Sequence, residues 1–126
     1  MIKVNFSEIE AIIISLKVLA SKELPYKISY AFKKLMKQLY SEYEIYQEER
    51  NQIIDKYAER DEQGNIKQNG NIISLKSDCI DLAQLKIKEL NSVEFEVDFS
   101  PISIESLGEI TISPKDLFNL DKFIID

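Results

Sequence analysis

The sequence predicts an α+β fold: a long antiparallel helical hairpin, a central N-terminal helix, and a small, mostly antiparallel sheet built from both chain ends. Three observations predict it. From Tyr26 to Arg60 there is neither glycine nor proline, and apolar residues recur every three or four positions, as on one face of a helix. A second helical pattern follows a turn that contains glycine. The period then drops to two in SVEFEVDF, residues 92–99, the signature of a half-buried strand.

The elements follow in order along a single domain, 1–126. IKVNF (2–6) alternates apolar and polar residues and predicts a strand. Ser7 and Glu10 have the spacing of a capping box and predict a helix over 8–20, with Phe6 and Ala11 placed to staple its start. Ile9, Ile12, Ile13, Ile14, Leu16, Val18 and Leu19 make it apolar on most faces, so a central position is expected.

Leu24-Pro25 breaks the chain, and Pro25 suits the first turn of the long helix predicted over 26–60. Phe32, Met36, Leu39, Tyr43, Tyr46, Arg50, Ile53 and Tyr57 are spaced alternately by four and three, a heptad seam. The tyrosines among glutamates in YSEYEIYQEERNQIIDKY (40–57) are thus read as an inner face at a half-exposed end, where each hydroxyl needs a partner or water. DEQGN (61–65) and QNG (68–70) are turn signals, with a minimal hairpin starting at Ile66-Lys67.

The next helix is predicted over 74–91, its apolar face built from Leu75, Cys79, Ile80, Leu82, Ala83, Ile87 and Leu90. The short connection favours antiparallel packing on the second half of the long helix. In 92–99, Val93, Phe95, Val97 and Phe99 share one face of a strand. EITI (109–112) and the N-terminal strand are its expected partners, since an isolated strand is unstable. Ser113-Pro114 caps a last short helix over 114–124.

Composition narrows the function. Hydrophobic residues at 44% and charged residues at 30% suit a folded chain. The chain has no histidine, which removes Ser–His and Cys–His catalysis and the commonest zinc sites. Three glycines, at 64, 70 and 108, leave no phosphate-binding glycine loop. One cysteine allows no internal disulfide and fits a reducing compartment. Cys79 is read as a small core residue. AIIISLKVLA (11–20) is too short to span a membrane and lacks the flanks of a signal peptide.

The net charge is −6, unevenly placed. Residues 89–126 hold nine acids against Lys115 and Lys122, whereas Lys17, Lys22, Lys27, Lys33, Lys34 and Lys37 are opposed in their stretch only by Glu23. Such asymmetry speaks to partners.

LPYKISYAFKKLMKQL, EYEIYQEERNQIIDKYAERDEQGN, KIKELNSVEFEVDF and ITISPKDLFNLDKFI together resemble a family of small uncharacterised proteins from phages and prophages of Gram-positive bacteria. The resemblance covers most of the chain. Its marks are Leu24-Pro25, the Tyr57 to Gly64 helix end, the acidic strand and Ile112-Ser113-Pro114. It implies a phage origin and brings no catalytic residue, metal or cofactor with it.

Two surfaces are candidates for partner binding. Glu94, Glu96 and Asp98 form a carboxylate row at about 6.8 Å spacing, too wide for one cation, whose oxygens must lie at roughly 2.0–2.6 Å. The bland reading is a solvated sheet face. The functional one is imitation of a nucleic-acid backbone. Tyr40, Tyr43, Tyr46 and Arg50 mark the second surface, on the seam. Arg50 is expected to pair with an acid or to fix register.

The basic stretch lacks arginine and any evident aromatic platform. An acidic protein, such as another copy's C-terminal part, is expected there in preference to nucleic acid. The function expected is that of a non-enzymatic binding module, directed at a host defence complex of the CRISPR nuclease type. The alternative is a virion or assembly protein that self-associates through the long helix, as in a homodimer. The expected location is the host cytoplasm, or the virion on the alternative reading. No membrane contact is expected.

Overall fold

The computed structural model describes residues 1–69 and 72–126. The order is β1 (Ile2–Asn5), α1 (Phe6–Ala20), α2 (Tyr26–Tyr57), β2 (Gln68–Asn69), β3 (Ile72–Ile73), α3 (Ile80–Asn91), β4 (Glu94–Val97), β5 (Ile102–Ser103), a 3₁₀ turn (Ile104–Leu107), α4 (Pro114–Asn119) and β6 (Ile124–Ile125). The fold is α+β, with the long helix, the central N-terminal helix and the antiparallel pairing of the two chain ends that the sequence predicts. By backbone proximity the chain, expected as one domain, divides into two compact units: Met1–Glu44 with Glu94–Asp126, and Ile45–Val93.

In the first unit β1 pairs antiparallel with β4, placing Ile2 opposite Val97, Lys3 opposite Glu96, Val4 opposite Phe95 and Asn5 opposite Glu94. Because side chains alternate faces, Val4, Phe95 and Val97 turn to the core while Glu94 and Glu96 stay exposed. The chain then passes directly into α1. Its cap is Asn5, not Ser7: Asn5 Oδ1 accepts from Ser7 N at 2.9 Å, and Glu8 Oε1 accepts from Asn5 N at 3.1 Å. The capping box exists but begins two residues early. Asn5 is the residue that still holds an extended conformation when the helix begins.

α1 buries Phe6, Ile9, Ile12, Ile13, Leu16 and Leu19, and so takes the central place expected of it. Ile14 and Val18 nevertheless remain exposed on its outer side. The Pro25 carbonyl accepts from Ile28 N and Ser29 N, each at 3.0 Å, and so starts α2. The first half of α2 sinks Phe32, Leu35 and Leu39 into the same core. Beyond β4, Phe99 lies against Phe32 with ring centroids 6.1 Å apart and meets Phe123 edge-on at 5.7 Å.

EITI is not a strand. Gly108 ends the 3₁₀ turn at φ +80, and Ser113 already caps α4. The few residues between them pack Ile110 and Ile112 on the core as single side chains. β4 takes β1 as its partner, and the pairing near the C-terminus is instead a short parallel one between β5 and β6. α4 stops at Asn119 rather than 124, because Phe123 and Ile124 turn inward and Ile124 joins β6 opposite Ile102.

In the second unit α2 ends at Tyr57, three residues before the predicted Arg60, because residues 58–60 pair with the chain that follows. Ala58 bridges Leu75, Arg60 bridges Ile66, and Lys76 N donates to Tyr57 O at 2.9 Å. The DEQGN turn is formed by Asp61 Oδ1, which accepts from Gln63 N and Asn65 N, each at 2.9 Å, with Gly64 at φ +84. β2 and β3 make the hairpin expected after Ile66. The last residue of its QNG signal, Gly70, lies outside the described residues.

α3 begins at Ile80, not 74, since Leu75 and Lys76 are held extended against the end of α2. At its far end the Tyr46 hydroxyl donates to Asn91 Oδ1 at 2.8 Å, which fixes the antiparallel hairpin.

Candidate functional site

Within the first unit, α1 and α2 leave an open groove of about 380 Å³ between the last turn of α1 and the outer side of α2. Its apolar lining comes from Ala20, Leu24, Phe32 and Met36, and its rim from Ser29, Lys33, Lys37 and Tyr40. Helical spacing explains the arrangement. Phe32 and Met36 lie one turn apart, as do Lys33 and Lys37 beside them, so an apolar row runs next to a basic one. The Lys17 ammonium sits 5.4 Å from the centre of the Tyr40 ring and brings a third cation to the end of the groove. No acid lines it. A shallow apolar channel edged by lysines suits an acidic protein segment that carries one apolar anchor.

The outward side of α2 extends this basic character. Tyr26 is 87% exposed and Tyr30 57%, and Lys34 Nζ lies 5.3 Å from the Tyr30 ring centre. The sequence reading finds no aromatic platform beside these lysines, and this is corrected: two exposed rings one turn apart share that side. Tyr26 and Tyr30 lie off the heptad spacing that takes in Tyr43, Tyr46 and Tyr57.

Opposite the groove, α2 is tied to the end of β4. Gln38 Oε1 accepts from Asp98 N at 2.7 Å, and Gln38 Nε2 donates to Asp98 O at 3.1 Å. The second cleft on this side, about 390 Å³, contains Asp98 beside Lys27 and Lys34 and is the more mixed in charge.

The predicted carboxylate row is shorter than expected. Glu94 and Glu96 are exposed on β4, but Asp98 lies past the end of the strand, and Lys3 stands directly opposite Glu96. A cation at that position offsets part of the row's charge. The predicted seam residues are not brought together either. Tyr40 is on the groove rim, Tyr43 is half-buried against the first unit's core, and Tyr46 bonds Asn91 in the second unit. Arg50 is exposed rather than inside a seam.

A polar cluster joins α4 to α1. Ser15 is 1% exposed, its hydroxyl accepts from Asn119 Nδ2 at 2.9 Å, and it also bonds the Asp116 carboxylate. Ser113 Oγ donates to Asp116 Oδ2 at 2.9 Å. These two hydroxyls, the Ser15 one foremost, hold the Asp116 carboxyl below the usual carboxylate range, with help from Lys115 and Lys22 and against the cost of desolvation. Every member has a partner, and the cluster acts as a clamp between two helices.

Among the described residues, no three His, Cys, Asp or Glu side chains gather closely enough to hold a metal ion. Among the same residues no helix is long and apolar enough to cross a membrane. Comparison with protein-family models, with curated proteins and with solved structures finds no match for the chain.

Proposed function

We propose that this chain is a phage-encoded protein-binding module without enzymatic activity, and that its contact surface is the groove between α1 and α2. The observation that carries the reading is the pairing of an apolar lining, Leu24, Phe32 and Met36, with a rim of Lys33 and Lys37 that no acid interrupts. The ligand is an acidic segment of a protein, either of a host complex or of another phage component. Lysine rims speed encounter with an acidic surface, and the apolar floor slows release.

The test compares the wild type with a Lys33→Glu/Lys37→Glu variant in affinity capture from host lysate, with and without phage infection. Both substituted residues are exposed, so the fold is expected to survive. Loss of the same captured protein by the variant, with direct binding then reproduced from purified components, supports the reading. Capture unchanged by the variant rejects it.

A second reading uses the acidic strand against a basic groove of a host nuclease-type complex. The exposure of both Glu94 and Glu96 favours it, and Lys3 opposite Glu96 weakens it. A Glu94→Lys/Glu96→Lys/Asp98→Lys variant that loses capture while the lysine variant keeps it selects this reading.

A further inference from the structure

We propose that the groove is filled by the C-terminal surface of a second copy, with Phe118 as the anchor, so that chains join head to tail. The inference rests on the groove reading above and names its occupant.

Phe118, on α4, is 77% exposed. The other five phenylalanines are all drawn inward: Phe6, Phe32, Phe99 and Phe123 are buried, and Phe95 is half-buried. A partner's pocket would bury this ring, and a desolvated aromatic side chain is a common anchor of an interface. The groove has a volume of about 380 Å³ and an apolar lining, which admits a phenyl ring.

The charges are complementary. From 105 to 126 the chain carries Glu105, Glu109, Asp116, Asp121 and Asp126 against Lys115 and Lys122. Lys122 is already committed to Glu8 and to the Lys3 carbonyl. Beside the knob, Glu8 and Asp121 share the cleft with Lys122, within a C-terminal part whose acids outnumber its lysines, whereas the groove is bordered by Lys17, Lys33 and Lys37. Phe118 shares a cleft with Ala11 and Ile12, whereas the groove is lined by Ala20 and Leu24. The two patches therefore lie toward opposite ends of α1. A contact between different patches on identical chains is heterologous, and it either closes into a ring or continues as a chain of subunits.

The experiment is sedimentation velocity over a concentration series, at low and at high salt, on three proteins: the wild type, Phe118→Ser, and Lys33→Glu/Lys37→Glu. All three substituted positions are exposed. The wild type is expected to grow in mass with concentration, and less so at high salt. Each variant alone is expected to associate at least roughly tenfold more weakly. An equimolar mixture of the two variants is expected to stop at a heterodimer, because one keeps the groove and the other keeps the knob.

A wild type that stays monomeric, variants that associate as the wild type does, or a mixture that does not pair each overturns the proposal. A separate titration distinguishes its failure from that of the groove reading. A synthetic acidic peptide with one central phenylalanine is added to isotope-labelled protein. Shifts at Lys33, Met36 and Lys37 in a monomeric protein keep the groove and reject self-occupancy. No shifts there reject both.

Discussion

Ser15 shows how much one buried hydroxyl can carry. It serves the Asn119 amide and the Asp116 carboxylate at once, and water cannot replace it at 1% exposure. Ser15→Ala is expected to destabilise the protein by about 0.5–1.5 kcal/mol, the net worth of an intramolecular hydrogen bond whose partners can turn to water, and urea unfolding measures it. Asp116 adds a pH signature. Its carboxyl lies below the ordinary value, so its stabilising effect is fully present above the unfolded-state value of about 3.9. The effect is lost as pH falls through the lower folded-state value. Guanidinium midpoints of the wild type and Asp116→Asn should therefore differ most near neutral pH and converge as the medium becomes strongly acidic. A gap that persists or widens on acidification would mean that the carboxylate is not what the clamp uses. Little of this was legible in the sequence. The Ser113 cap was, because cap and proline are adjacent in the chain. The bond between Ser15 and Asn119 joins residues 104 positions apart and leaves no local signal.

At the scale of elements, the helical periods predict the four helices, the starts of α2 at Tyr26 and α4 at Pro114 and the ends of α1 at Ala20 and α3 at Asn91. They do not predict the start of α1, the end of α2, the start of α3 or the end of α4. α1 starts at its Asn5 cap although Ser7 has an equally good pattern with Glu10. The two can be separated by measurement: Asn5→Ala is expected to cost about 0.5–2 kcal/mol, and more than Ser7→Ala, whose hydroxyl only donates to Asn5 Oδ1. Equal losses would move the cap to Ser7. α2 and α3 are shorter than their helical patterns because Ala58, Arg60, Leu75 and Lys76 are taken by the strand-like pairing between the two helices. Tertiary pairing overrode local propensity there. EITI failed although its residues alternate: β4 pairs with β1 alone, and the stretch after Gly108 spends Ile110 and Ile112 as single side chains on the core.

On the scale of the whole molecule, the apolar burial is unequal. The core cluster of Val4, Ile9, Leu16, Phe32, Leu39, Val97 and their neighbours belongs to the first unit. Among the described residues of the second unit only Tyr57, Ala58 and Ala83 are buried apolar residues. Local stability follows buried apolar contact. Amide hydrogen exchange is therefore expected to be faster throughout α3 than in α1, read by mass spectrometry of the intact chain. Equal protection would show that the two units open as one. Charge is also segregated, with the basic first half of α2 (Lys27, Lys33, Lys34 and Lys37) and an acidic C-terminal part, which gives the head-to-tail contact its direction.

The sequence by itself determined the class of fold, the long helix without breakers, the alternating acidic strand, the turn at 61–64 and the separation of charge. These are local or additive properties: a period, a cap, a glycine conformation or a sum can be read without knowing what lies across the core. Only the tertiary structure decided that Phe32 and Met36 line a groove while Lys33 and Lys37 border it. It alone placed Phe118 outside the core and Lys3 opposite Glu96. Each of those facts depends on which distant segment covers a given helix or strand face. That is settled by the joint packing of the core, and no single stretch of the chain encodes it.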